Sequence, residues 1–282
     1  MITTDHLCGR IWFRDGDDFR AAMNYVAIVA VLAGVKIVAF VLMSNHVHFV
    51  VACGDEARAR AFIDRFKGKY GLYFWHKYHV QGLLRSNNVD IRPLTAQDEG
   101  LERAIAYVQM NPVAAGLCQH ASLYPWGSGN VFFNLNPEKG RAVKDCSVRT
   151  LRSILHCREK VPSSFVLRDD GVLLPYSYIS VSFVENLFRS SKRYNFFLAT
   201  SSKARARLEK DAAPVFLDKN VLAAAIDLCR SLFDRNDLSG LSRKQLVTLL
   251  EQLRYRFGSN IEQLVRITGI PYPEMSELLE EL

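Results

Sequence analysis

The chain has 282 residues, 49% of them hydrophobic, with a formal net charge of +7 and a sequence pI near 9.1. Length and apolar content exclude a disordered chain and allow one large or two ordinary domains. The positive excess favours a polyanionic partner without choosing between nucleic acid and an anionic membrane surface.

In chain order, Ile2 to Cys8 reads as a first strand. Arg14-Asp15-Gly16-Asp17-Asp18 then gives a turn and a helix start, with acids suited to a first helical turn. Tyr25 to Met43 approaches the length and apolarity of a membrane span. Lys36 lies inside it, however, and Gly34 precedes that lysine. The better reading is a helix over Asp17–Leu32 closed by Gly34, then a strand over Val35–Met43 rich in Val, Ile and Phe. No membrane partner is expected. A second strand, 46–52, follows across Ser44-Asn45. Asp55 to about Tyr78 predicts a long helix with Phe62, Phe66, Tyr70, Tyr73 and Phe74 along one face, ended by Gly82. Leu83 to Leu94 supplies a further strand or a hairpin through Asn87-Asn88. Asp98–Met110 is a helix carrying Tyr107, stopped by Pro112. The order βαββαβ plus one helix predicts an α+β fold: a ferredoxin-like antiparallel sheet with helices on one face.

Composition turns polar at Asn134-Leu135-Asn136-Pro137-Glu138-Lys139-Gly140, which divides the chain into residues 1–135 and a mainly helical region, 141–282. Within the latter, Arg189 to Lys210 is basic. Ser242-Arg243-Lys244-Gln245 and Ser259-Asn260-Ile261-Glu262 are capping-box patterns, and residues from about 242 to 282 resemble a helix-turn-helix unit. Its second helix, Pro271–Leu282, bears Glu274, Glu277, Glu280 and Glu281. Those acids would repel phosphate, so this end is expected to bind protein or fold over a basic groove. The cysteines at 8, 53, 118, 146, 157 and 229 show no CxxC pairing, which fits neither a zinc site nor a disulfide scaffold. The N-terminus lacks a signal-peptide pattern. Both features predict a cytoplasmic protein with reduced thiols.

The chemistry concentrates at His46-Val47-His48. Side chains two apart on a strand share a face, so both imidazoles leave the sheet side by side, as two ligands of one ion would. The rival reading is a pair of packed core histidines. Tyr107 and Asn111, four apart on a helix, also share a face, and Asn111 offers a third, oxygen ligand. Imidazole suits manganese better than magnesium, which prefers an all-oxygen shell; a divalent Mn2+ or Mg2+ ion is the expected cofactor. A phenol is a poor nucleophile at neutral pH unless charge at the scissile phosphate is stabilised from the other side. Metal pair and tyrosine together suggest phosphodiester chemistry through a phosphotyrosine. Arg103, in the same stripe, is a candidate to favour the phenolate or hold a flanking phosphate, or else a solvated surface residue. Tyr70, Tyr73 and Tyr78 are rival nucleophiles whose apolar-face spacing favours core packing.

The segments Val41-Leu42-Met43-Ser44-Asn45-His46-Val47-His48-Phe49-Val50, Tyr107 to Leu117 and Tyr124-Pro125-Trp126-Gly127-Ser128 resemble the REP-associated tyrosine transposases, relatives of the single-tyrosine HUH transposases. The resemblance covers roughly residues 1 to 133. It implies cleavage and joining of single-stranded DNA at hairpin-forming repeats, with His46 and His48 as metal ligands and Tyr107 as nucleophile. Asn111 stands where related insertion-sequence enzymes use a glutamine as third ligand. The run Leu83 to Leu94 departs from the family in lacking a Gly-x-x-Trp-x-x-Arg-like element. A homodimer is compatible with this reading. Two other readings are a module that binds structured single strands without cutting and a metal-dependent hydrolase using water.

For holding the strand, the long helix offers Arg58, Arg65, Lys67, Lys69 and Lys77 beside many aromatics, the combination used by single-strand grooves. Arg189, Lys192 and Arg193 are a second phosphate-contact candidate. Trp12, Trp75, Tyr78 and Trp126 are stacking candidates, with core packing as the rival fate.

Overall fold

The computed structural model describes residues 1–5, 11–82, 84, 87–94, 99–201, 216–257, 259 and 261–280. Strand β1 (Ile2–Thr4) is shorter than the predicted Ile2–Cys8, whose remainder from residue 6 lies outside the described residues. Helix α1 (Gly16–Ala33) begins where Asp15 caps it, its carboxylate accepting from the Asp18 N–H at 2.9 Å. It ends at Gly34, whose φ of 64° lets the chain turn left-handedly into the next strand. The apolar stretch 25–43 is thus a buried helix followed by a strand. No described helix is long and apolar enough to cross a membrane.

Strands β2 (Lys36–Met43) and β3 (His46–Ala52) form a hairpin across Ser44-Asn45. Helix α2 (Glu56–Tyr78) is capped by Asp55 and ends at His79, at φ 55°, rather than at Gly82 three residues on. Strand β4 is only Val89–Ile91, within the longer strand predicted over 83–94. The four strands lie antiparallel in the order β2-β3-β1-β4. This is the ferredoxin-like arrangement.

Register decides what each face carries. Phe40 lies opposite Phe49, and Phe49 meets Phe62 and Phe66 of α2 at ring distances of 5.1 and 5.5 Å. Helices α1 and α2 pack together over that face, burying Phe62, Phe66, Tyr70 and Phe74. Val41 pairs with His48 and Met43 with His46, so both histidines share the opposite face. Helix α3 (Gly100–Gln109) packs there against β2 and β3, followed by the short α4 (Asn111–Ala114).

The outer edge of β2 is covered, which removes an unpaired strand edge. The Leu42 N–H donates to the Trp126 carbonyl at 2.9 Å, the Ser128 N–H to the Phe40 carbonyl at 3.0 Å, and the Ser180 N–H to the Ile37 carbonyl at 3.0 Å. Gly127 is needed in this approach, since a Cβ there would lie 2.8 Å from the Phe40 carbonyl oxygen.

Beyond residue 140 the chain is mainly helical. A small β5–β6 pair (Arg141–Ala142, Val166–Leu167) brackets α5 (Val148–Leu155). Asn24 of α1 holds this region by donating to the Gly171 carbonyl at 2.9 Å and accepting from the Leu173 N–H at 2.8 Å. Helices α6 (Val181–Phe188) and α7 (Ser191–Thr200) follow, and α7 lies against α3. A last group contains α8 (Asp218–Phe233), α9 (Arg243–Phe257), α10 (Ile261–Thr268) and α11 (Tyr272–Glu280). The capping box at Ser242 forms reciprocally, Ser242 N–H to Gln245 Oε1 at 2.9 Å and Gln245 N–H to Ser242 Oγ at 3.3 Å. Asn260 of the second predicted box lies outside the described residues. Glu274 and Glu277 of α11 are exposed, while Met275 and Leu278 are buried.

Candidate active site

His46 opens β3 and His48 follows on the same face, both almost fully buried. Their rings stand perpendicular with centroids 4.8 Å apart. Each Nδ1 has an oxygen partner: Asn45 Oδ1 at 2.9 Å for His46, and Thr3 Oγ1 at 3.1 Å for His48. An amide oxygen only accepts, so His46 donates to it through Nδ1. Thr3 reaches His48 because the two are cross-strand neighbours.

Helix α3 brings Tyr107 onto this pair. Its half-buried ring meets His48 edge to face, the centroids 5.7 Å apart. One turn later the Asn111 amide nitrogen donates to the Tyr107 carbonyl at 2.8 Å, which turns the nitrogen back onto α3. The oxygen is the end of that side chain that could ligate an ion. His46, His48 and Tyr107 are thereby brought together, with Asn111 anchored to the tyrosine's own backbone.

Ser128 sets the height of the tyrosine helix above the strands. Its hydroxyl, fully buried, accepts from the Gln109 amide at 2.6 Å and from the Phe40 N–H at 2.9 Å. Gln109 is two residues from Tyr107, and Phe40 is paired to the strand that carries the histidines. In the sequence Ser128 stands out only as the end of the Tyr124–Ser128 motif. A helix-terminal glutamine and a glycine-flanked serine far apart in the chain were the available signal.

Residues 14–86 match the family model described as transposase IS200 like. The match covers about a quarter of the chain. No curated protein and no solved structure matches the chain. The match spans the histidine hairpin and α2; Tyr107 and Asn111 lie beyond it.

Several predicted cations, inside the matched segment and beyond it, have internal partners. Lys77 pairs with Asp15 at 2.6 Å and Asp18 at 2.8 Å. Lys69 pairs with Glu159, and Lys67 donates to the Asn87 carbonyl at 2.6 Å. Arg193 pairs with Glu99 and with the buried Glu102, each at 3.1 Å. Arg103 is exposed, pairs with Glu99 at 3.2 Å and lies over the Phe197 ring at 6.0 Å. Arg58 and Arg65 are exposed on α2, where Arg65 donates to the Leu32 carbonyl at 2.6 Å and Arg58 lies 3.8 Å from Asp55. Arg189 and Lys192 are exposed beside the start of α7. Lys203, Arg205, Arg207 and Lys210 lie outside the described residues.

The other tyrosines sit differently. Tyr70 is fully buried and donates to the Trp12 carbonyl; burial, then Asp18, pushes its phenol well above the ordinary range. Tyr73 and Tyr78 donate to Asp18 at 3.2 and 3.0 Å, and burial followed by the Asp18 charge raises both phenols. Trp12 stacks on Tyr70 inside the core and Trp126 on Phe19. Trp75 is exposed on α2.

Proposed function

We propose that the chain is a metal-dependent nuclease and strand transferase for single-stranded DNA. In this reading Tyr107 Oη attacks a backbone phosphorus, the tyrosyl O–P bond forms, and the P–O bond to the leaving strand breaks. That strand leaves as an alkoxide that takes a proton from solvent, and the phenolic proton passes to solvent, which the half-buried residue meets. The phosphotyrosine keeps the energy of the broken linkage, so an incoming hydroxyl can reverse the step. The observation that carries this reading is the edge-to-face contact of Tyr107 with His48, itself 4.8 Å ring to ring from His46.

The donor set suits a divalent ion. His46 Nε2, His48 Nε2 and Asn111 Oδ1 would hold Mn2+ or Mg2+ with neutral donors, leaving its charge for a phosphate oxygen. When bound, such an ion supplies Lewis-acid stabilisation of charge growing on the non-bridging oxygens. A partner on Nδ1, as Asn45 and Thr3 provide, fixes the plane of an imidazole that ligates through Nε2. The exposed cations Arg58, Arg65, Arg189 and Lys192 are the surface contacts to DNA phosphates, and hairpin-forming repeats are the proposed targets. The internally paired Lys67, Lys69, Lys77 and Arg193 hold the fold.

The test is incubation of the protein with end-labelled hairpin DNA and Mn2+, followed by a denaturing gel. A covalent adduct that disappears in Tyr107→Phe is the expected result. Cleavage without an adduct would replace the nucleophile by water, and binding without cleavage would reduce the protein to a recognition module.

A further inference from the structure

We infer that Arg256, far along the chain in α9, is a positioning residue for His46. It acts through the turn that joins β2 to β3, and the inference rests on reading His46 as a metal ligand.

The observation is a closed ring of hydrogen bonds among three residues. The Ser44 hydroxyl donates to the Arg256 carbonyl at 2.8 Å. Arg256 Nη1 donates to the Phe13 carbonyl. The Phe13 N–H returns to the Ser44 carbonyl at 3.3 Å, and the Trp12 N–H joins it at 2.7 Å. Ser44, Phe13 and Arg256 are all buried, at 1%, 0% and 2% exposure. Hairpin turns ordinarily face water, which satisfies their backbone groups. This one is enclosed, and its polar groups are met by a helix from the other end of the sequence.

The next two residues are Asn45 and His46, and Asn45 Oδ1 is the partner of His46 Nδ1. A turn held on both sides fixes where that amide stands. The amide in turn fixes the proton and the plane of the imidazole. Burying a guanidinium is costly, and burial holds its pKa below the ordinary arginine value, opposed by Asp18 and Asp15. Gln252 Oε1 accepts from Nε at 2.9 Å, so the group is clamped along its own helix as well. Residue 256 lies outside the matched family segment. The helical region therefore contributes to the histidine pair rather than only trailing it.

The test uses the full chain with Ser44→Ala, Arg256→Lys and His46→Ala. Ser44→Ala deletes one hydroxyl and leaves the guanidinium in place, so it carries the test if Arg256→Lys fails to fold. Mn2+ affinity is measured by calorimetry, and the histidine ring nitrogens are followed by NMR in the metal-free protein. Expected for Ser44→Ala is a Mn2+ Kd raised about 10- to 100-fold, with shifted His46 ring signals and unmoved signals from His120. A folded Ser44→Ala with wild-type Mn2+ affinity and unchanged His46 signals would overturn the inference. Absence of Mn2+ binding by the wild-type chain would overturn the metal reading instead. In that case displaced His46 signals would still uphold the positioning role.

Discussion

The rings of His48 and Tyr107 are perpendicular, with centroids 5.7 Å apart. A contact of this kind survives loss of the phenolic oxygen but not loss of the ring. Tyr107→Phe should keep the wild-type melting temperature and Mn2+ affinity while losing all strand transfer. Tyr107→Ala should in addition lower stability by about 1–3 kcal/mol, because an aromatic neighbour is removed from a half-buried site. Thermal melts of the two variants beside the wild type check this.

Thr3 offers a cleaner probe of the histidine pair. Its hydroxyl is 3.1 Å from His48 Nδ1, and Thr3→Val replaces that oxygen by a methyl group of similar shape. The strand should persist, while Mn2+ affinity falls about 10- to 100-fold, the usual effect of removing the hydrogen-bond partner that orients a ligating imidazole. Calorimetric titration at fixed pH would show it, and an unchanged Kd would argue that Thr3 does nothing for the ring.

Ser128→Ala should be more damaging than a serine-to-alanine change normally is. It strips the partner from both the Gln109 amide and the Phe40 N–H. Leaving buried donors unmet costs about 1–3 kcal/mol. The variant should unfold at lower urea concentration and lose activity beyond that, since the tyrosine helix is no longer tied to β2.

Acid should attack the cluster at the start of α1. Burial alone would raise the Asp15 carboxyl, but hydrogen bonds from Lys77, the Asp18 N–H and Tyr78 outweigh it and hold it below the usual carboxylate range. Stability from this group is therefore complete above the unfolded pKa of about 4 and is lost as the pH falls through the lower native value. Asp18 behaves oppositely: burial first, then Asp15, raises it. Asp15→Asn keeps a capping side chain but removes the charge. It should cost about 1–3 kcal/mol at pH 7 and flatten the acid limb of the stability profile, measured by urea unfolding between pH 7 and pH 2.

Much of the sheet was legible because its signals are local. Gly34 marks a left-handed turn, Asp15 and Asp55 mark helix starts, and the alternation around His46 and His48 sets a strand face. The cations of α2 were not legible in the same way. Lys77 reads as part of a solvated stripe until Asp15 and Asp18, distant in sequence, are folded against it. Lys69 meets Glu159 across an even longer separation. The same blindness hid Ser128 and Arg256, whose roles depend on backbone groups, and backbone groups carry no letter in a sequence.

The ring through Ser44 has a consequence for biosynthesis. Its two side chains are 212 positions apart, so a ribosome displays the histidine hairpin long before the helix that locks its tip emerges. A nascent or prematurely terminated polypeptide would hold its histidines loosely. On the positioning role inferred for Arg256, the setting of His46 would then be complete only once translation has passed residue 256.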